Sequence, residues 1–234
     1  MSIFVGDHKP PESSSDESDE EEDVPEDPPV PGEYWCAVAS ALKQTRRLRF
    51  LSVYFEQIGD AAQAWVLDGS TFQLETFHCD FEWDRHLADF LHSQSHLSDL
   101  YLSDYRNTTG TKPPPNRPAC PHNCTPAPSA LPIPALSILE CTFSEAAAAL
   151  VPGRPVVRVK TCLSRSQEDE KRKEMQDLVA QLALSRVPLQ ALDLADESYT
   201  EDFSLELARH VGSLANTRKL RYLGTLVLPV DGTK

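Results

Sequence analysis

The stretch Leu97-Ser-Asp-Leu100-Tyr-Leu102 decides the fold, because the chain keeps returning to it. Close copies read Leu74-Glu-Thr-Phe77-His-Cys79, Leu136-Ser-Ile-Leu139-Glu-Cys141 and Leu189-Gln-Ala-Leu192-Asp-Leu194. Looser copies read Leu48-Arg-Phe-Leu51-Ser-Val53, Val156-Val-Arg-Val159-Lys-Thr161 and Leu223-Gly-Thr-Leu226-Val-Leu228. The last two apolar positions of each copy share one face of a short strand, and the residue between them faces the other way. The first apolar residue closes the turn that feeds the strand. Aligned on their middle residue, the copies lie 26, 23, 39, 20, 33 and 34 residues apart, and helical patterns fill most of the gaps.

One strand-plus-helix unit repeated in this way predicts an α/β architecture: an open solenoid of about six to seven irregular leucine-rich repeats. Its expected extent is residues 33–234, with an acidic tail ahead of it and one interruption. A first helix over Glu33–Gln44 buries Trp35, Val38, Ala39 and Leu42 and caps the first strand. Residues 56–72 read as helix. Further helices are expected at Asp84–Ser93, at Ser144–Leu150, from Ser166-Gln-Glu-Asp169 with Ser166 as cap, and from about Thr200 with Ser198 and Glu201 as a capping box.

Charge is placed unevenly. The net charge is −14, and residues 1–32 carry eleven acidic side chains against Lys9 alone. Like charges and many prolines leave that segment too little apolar area to offset chain entropy, so a disordered acidic tail is expected over 1–32. Ser13, Ser14 and Ser18 precede acidic residues at short range and suit acid-directed phosphorylation; the alternative is a tail that only solubilises. Asn107–Pro134 breaks the repeat with nine prolines between Pro113 and Pro134, and is read as an insert.

Several function classes are disfavoured. Nucleic acid needs a basic surface, which an acidic chain lacks. No apolar run approaches the ~20 residues that span a bilayer, and Ile3-Phe-Val5 is too short for a signal peptide. The six cysteines are dispersed and read as reduced thiols, which places the chain in the cytoplasm or nucleus. Cys120-Pro-His122-Asn-Cys124 offers three soft ligands without a second pair, and His78, Cys79, His86, His92 and His96 form no compact set, so neither metal nor cofactor is expected. For a hydrolase, the nearest candidates are Ser103-Asp104 and Asp193/Asp196, and an open solenoid surface encloses neither pair, so no enzyme is expected.

Ser95-His-Leu-Ser-Asp-Leu-Tyr-Leu-Ser-Asp104, Leu150-Val-Pro-Gly-Arg-Pro155 and Leu220-Arg-Tyr-Leu-Gly-Thr-Leu-Val-Leu-Pro229 carry a further likeness. Over roughly residues 33–232 the chain resembles the repeat region of F-box/leucine-rich-repeat proteins of mushroom-forming fungi. That resemblance implies repeats that select a protein substrate, and an N-terminal F-box that docks on cullin-type ubiquitin-ligase subunits. No F-box is evident: an acidic tail and a single short helix precede the first repeat. A truncated family member without ligase function is the alternative, and a chain end soon after Leu228 fits it.

The expected function is protein–protein interaction through the concave sheet face. Tyr54, His78, Tyr101, Glu140 and Lys160 are expected in one row there, with Arg158 and Asp193 beside them. Aromatic and charged residues in that combination supply stacking and ion-pairing anchors.

Overall fold

The computed structural model describes residues 2–5, 32–55, 64–81, 83, 85–103, 133–195 and 200–224. Eight strands form one sheet: β1 (Ser2–Val5), β2 (Phe50–Phe55), β3 (Thr76–Cys79), β4 (Asp99–Leu102), β5 (Ile138–Cys141), β6 (Arg158–Cys162), β7 (Ala191–Ala195) and β8 (Tyr222–Leu223). Strand order follows chain order from β1 to β8, and every pair is parallel. The connections carry α1 (Gly32–Gln44), a 3-10 turn at Ala64–Leu67, α2 (Arg85–Ser93), α3 (Ser144–Leu150), α4 (Glu168–Leu182), α5 (Glu201–Ser213) and a second 3-10 turn at Ala215–Thr217.

The repeated leucines explain the sheet. Leu74, Leu97, Leu136, Val156 and Leu189, which lead into β3 to β7, are all fully buried. Behind them, Leu51, Phe77, Leu100, Leu139, Val159 and Leu192 fill the middle slot on successive strands. Each such side chain contributes roughly 1.5–3 kcal/mol on burial. The residue just ahead of each strand also repeats a backbone pattern. Its carbonyl accepts two successive amides of the next unit: Arg49 from Glu75 and Thr76, Glu75 from Ser98 and Asp99, Ser98 from Ser137 and Ile138. Ser137, Val157 and Gln190 continue the series, which ends on Arg221 and Tyr222.

The helices cover the leucine face. Trp35, Ala39 and Leu42 of α1, Leu87, Phe90 and Leu91 of α2, and Ala146, Ala147 and Leu150 of α3 are buried in a single core. Met175, Leu178, Val179 and Leu182 of α4 and Phe203, Leu207 and Val211 of α5 complete it. Helical spacing of these residues puts each set on one stripe.

The structure differs from the sequence reading in five places. Ser2–Val5, assigned to the tail, pairs with Ser52–Phe55 as β1, which gives the edge of β2 a backbone partner. Of the helix expected over 56–72, residues 56–63 lie outside the described residues, and the described part holds a 3-10 turn at Ala64–Leu67, followed by Gly69 with φ 74. Ser166 does not cap α4; Gln167 precedes the helix and gives no side-chain cap. Thr200 caps α5 by accepting the Phe203 amide at 3.2 Å, while Ser198 lies outside the described residues. Finally, Leu223 rather than Leu226 pairs with Leu192. Leu220-x-x-Leu223 and Leu223-x-x-Leu226 overlap in sequence, and the turn in which Leu220 donates to the Thr217 carbonyl at 2.8 Å selects the first. The rest of the tail and residues 107–132 of the insert also lie outside the described residues.

Candidate functional site: the uncovered sheet face

Alternation along each strand sends the residues between the leucines to the face that the helices leave open. Register defines the rows on it. One row runs Ser52, His78, Tyr101, Glu140, Lys160, Asp193, and the row beside it runs Phe50, Thr76, Asp99, Ile138, Arg158, Ala191, Tyr222. His78, Tyr101, Glu140, Lys160, Arg158 and Asp193 therefore share this face, as the sequence spacing requires. Tyr54 shares it too, but in a different row. Its expected slot beside His78 belongs to Ser52, because Tyr54 stands three positions after the middle residue Leu51 rather than one.

Tyr54 nonetheless joins the same cluster. Its ring lies 6.1 Å from that of Tyr101 at 54°. His78 stands edge-on to Tyr101 at 5.8 Å and to Phe50 at 5.7 Å. Four rings from β2, β3 and β4 thus form one continuous patch, with Phe50 exposed and the others half-buried. Partial burial raises the Tyr54 phenol above its ordinary pKa, against a lowering hydrogen bond with Ser52. Beside the patch, Asp99 Oδ1 sits 3.9 Å from His78 Nε2. Phe50 and Asp99 fall on this face by sequence alternation, but only the register brings them against His78 from neighbouring strands.

Further along, the rings give way to charge. Lys160 pairs with Glu140 on the adjacent strand, and that hydrogen bond, with the fields of Glu140 and Asp193, raises the ammonium pKa. Asp193 has room at the end of the row because Gly224 stands opposite; a Cβ there would collide with the carboxylate. Arg158 is exposed and has no ion pair among the described residues.

Other candidates fall elsewhere. His86 Nδ1 is held by the Asp68 carboxylate at 2.9 Å, and among the described residues no group of three His, Cys, Asp or Glu side chains is placed to hold a metal. Asp104, Asp196, Cys120, His122 and Cys124 lie outside the described residues, as do Ser13, Ser14 and Ser18. A hollow between α3 and α4 of about 480 Å³ is lined by Ser144, Glu145, Glu174 and their neighbours. Its carboxylate Glu174 is already engaged with Ser144, the Ser164 amide and hydroxyl, and the Arg165 amide. No helix among the described residues is long and apolar enough to cross a membrane.

Sequence reasoning missed the buried polar residues that hold the turns and, for Gln94 and Asn216, tie neighbouring units together. Gln94 and Arg154 are buried, and each spends its side chain on backbone groups at a turn between helix and strand. Asn216 likewise donates to the Leu182 carbonyl at 2.7 Å. A polar residue just past a helix end, before the next Leu-x-x-Leu, was the available signal.

No protein-family model matches this chain, and no curated protein matches it.

Proposed function

We propose that the chain is a leucine-rich-repeat-type solenoid whose uncovered sheet face binds a protein partner. The observation that carries this reading is the composition of that face: a four-ring patch running into Glu140, Lys160, Asp193 and Arg158 within three neighbouring rows. Rings anchor by burial and stacking, and flanking charges fix register and exclude wrong partners. Chain-ordered parallel strands, with β3 to β7 each introduced by a fully buried apolar residue, support the solenoid part. The face offers hydrogen-bonded ion pairs and rings rather than a nucleophile beside a base, which favours binding over catalysis.

The resemblance to F-box/leucine-rich-repeat proteins gives the reading its cellular form: the substrate-recognition part of a ubiquitin-ligase adaptor. Affinity purification from cell extract followed by mass spectrometry tests both levels. The expected result is a protein partner lost on Tyr101→Ala and on Lys160→Glu, together with cullin-type ligase subunits. A partner retained by the Tyr101→Ala, Lys160→Glu double variant but lost on deleting residues 6–31, which spares β1 and α1, would move recognition to the acidic segment. A face-dependent partner without ligase subunits would remove the adaptor role alone.

A further inference from the structure

The charges on the sheet face are spaced in a way that names a ligand, granted that this face binds a partner at all. Asp99, Ile138 and Arg158 stand directly opposite one another on β4, β5 and β6. Two steps between parallel strands measure about 9.6 Å. A peptide laid across the strands as a polyproline-II helix rises about 3.1 Å per residue with three residues per turn, so positions three apart span about 9.3 Å and share one face.

The two ends of the span differ in kind. At one end, the only charged neighbour of Asp99 among the described residues is His78, 3.9 Å away. At that distance the pair falls short of hydrogen-bond reach, so the carboxylate can take a closer cation beside the His78 and Tyr101 rings. A guanidinium or ammonium placed there gains the carboxylate and the π faces of Tyr101 and His78 together. At the other end, Arg158 is exposed and without an ion pair among the described residues, so it suits a carboxylate. Between them Ile138, half-buried, offers an apolar step. The neighbouring row does not compete for these charges, since Lys160 is engaged by Glu140 with Asp193 at its other side.

We infer that the partner presents a polyproline-II segment in which a basic residue, preferably arginine, and an acidic residue lie three positions apart. The basic side chain sits over the ring patch against Asp99, and the acidic one meets Arg158.

Fluorescence anisotropy with labelled synthetic peptides tests this on the full chain. The probes share a Pro/Ser host, which holds the polyproline-II form, and carry one arginine and one glutamate separated by one, three or six positions, with an arginine-to-glutamine control. The expected result is tightest binding at the three-position spacing, a loss of about tenfold with the glutamine control, and the same loss on Asp99→Asn with no further loss when both are combined. Arg158→Gln should flatten the dependence on glutamate position. Peptide binding that is abolished by Tyr101→Ala yet indifferent to spacing and to Asp99→Asn would overturn the charge pairing and leave the sheet-face reading intact. Absence of any binding sensitive to Tyr101→Ala would remove both.

Discussion

The side-chain oxygen of Gln94 accepts the Leu74 amide at 2.8 Å, while its nitrogen donates to the Phe72 carbonyl at 3.3 Å. The glutamine sits just past α2 and is fully buried, and the groups it satisfies belong to the chain entering β3. One side chain therefore holds two successive units at fixed spacing. Gln94→Leu strands a buried donor and acceptor, and the expected loss is about 1–3 kcal/mol in urea unfolding. A loss below about 0.5 kcal/mol would show that water replaces it at no cost.

Leu192 and Tyr101 stand on opposite faces of the sheet and should separate folding from binding. Leu192 is fully buried in the core, so Leu192→Ala should cost about 2–5 kcal/mol. Tyr101 is half-buried and its side chain meets the rings of Tyr54 and His78, so Tyr101→Ala should cost about 1.5 kcal/mol or less. Chemical denaturation of both variants checks the order; equal losses would place Tyr101 in the core.

The cysteines should react in sequence. Cys36 is exposed, whereas Cys79 and Cys141 are buried, and burial pushes the Cys141 thiol up from 9.0 to about 12 and raises Cys79 as well. A thiol reagent at neutral pH should modify Cys36 quickly and the buried pair only as the fold opens. Both thiols favour the folded state while they stay protonated. For Cys141 that contribution is complete below pH 9.0 and is lost as pH rises toward about 12. Cys141→Ala should therefore show a shallower alkaline fall in stability than the parent chain. An unchanged slope between those limits would remove Cys141 as its source.

Glu140 and Lys160 pair across neighbouring strands with side chains 38% and 51% exposed. That exposure makes the pair a surface one, so a double-mutant cycle with Glu140→Gln and Lys160→Met should return about 0.2–1 kcal/mol, falling with added salt. A salt-independent coupling well above that range would mean that the pair is shielded from solvent.

The spacing of leucines made most of the sheet legible, because a period of two along a strand leaves one choice of face. That choice alone puts His78, Tyr101, Glu140 and Lys160 on one side. The spacing failed where the signal was degenerate or local. Overlapping Leu-x-x-Leu units at Leu220, Leu223 and Leu226 left the last register open, and only the turn at Thr217 selects one. Tyr54 falls outside the expected row because it stands three positions after Leu51, where the row takes the residue one position after. Ser166 matched the composition of a cap, yet Glu174, folding back onto the Ser164 and Arg165 amides, does the holding there. The β1 pairing was hidden because Ile3-Phe-Val5 is brief and is followed at once by charge.

Asp99 and Ile138 are paired on adjacent strands although thirty-eight residues separate them in the chain, whereas Ile138 and Arg158 achieve the same register across nineteen. The spacing of side chains on the face is thus indifferent to how much chain is spent between strands. A lineage could lengthen or trim the connection after β4 without rewriting what the face displays. A protein engineer has the same freedom, and could graft a reporter domain into that connection while keeping the surface readout intact.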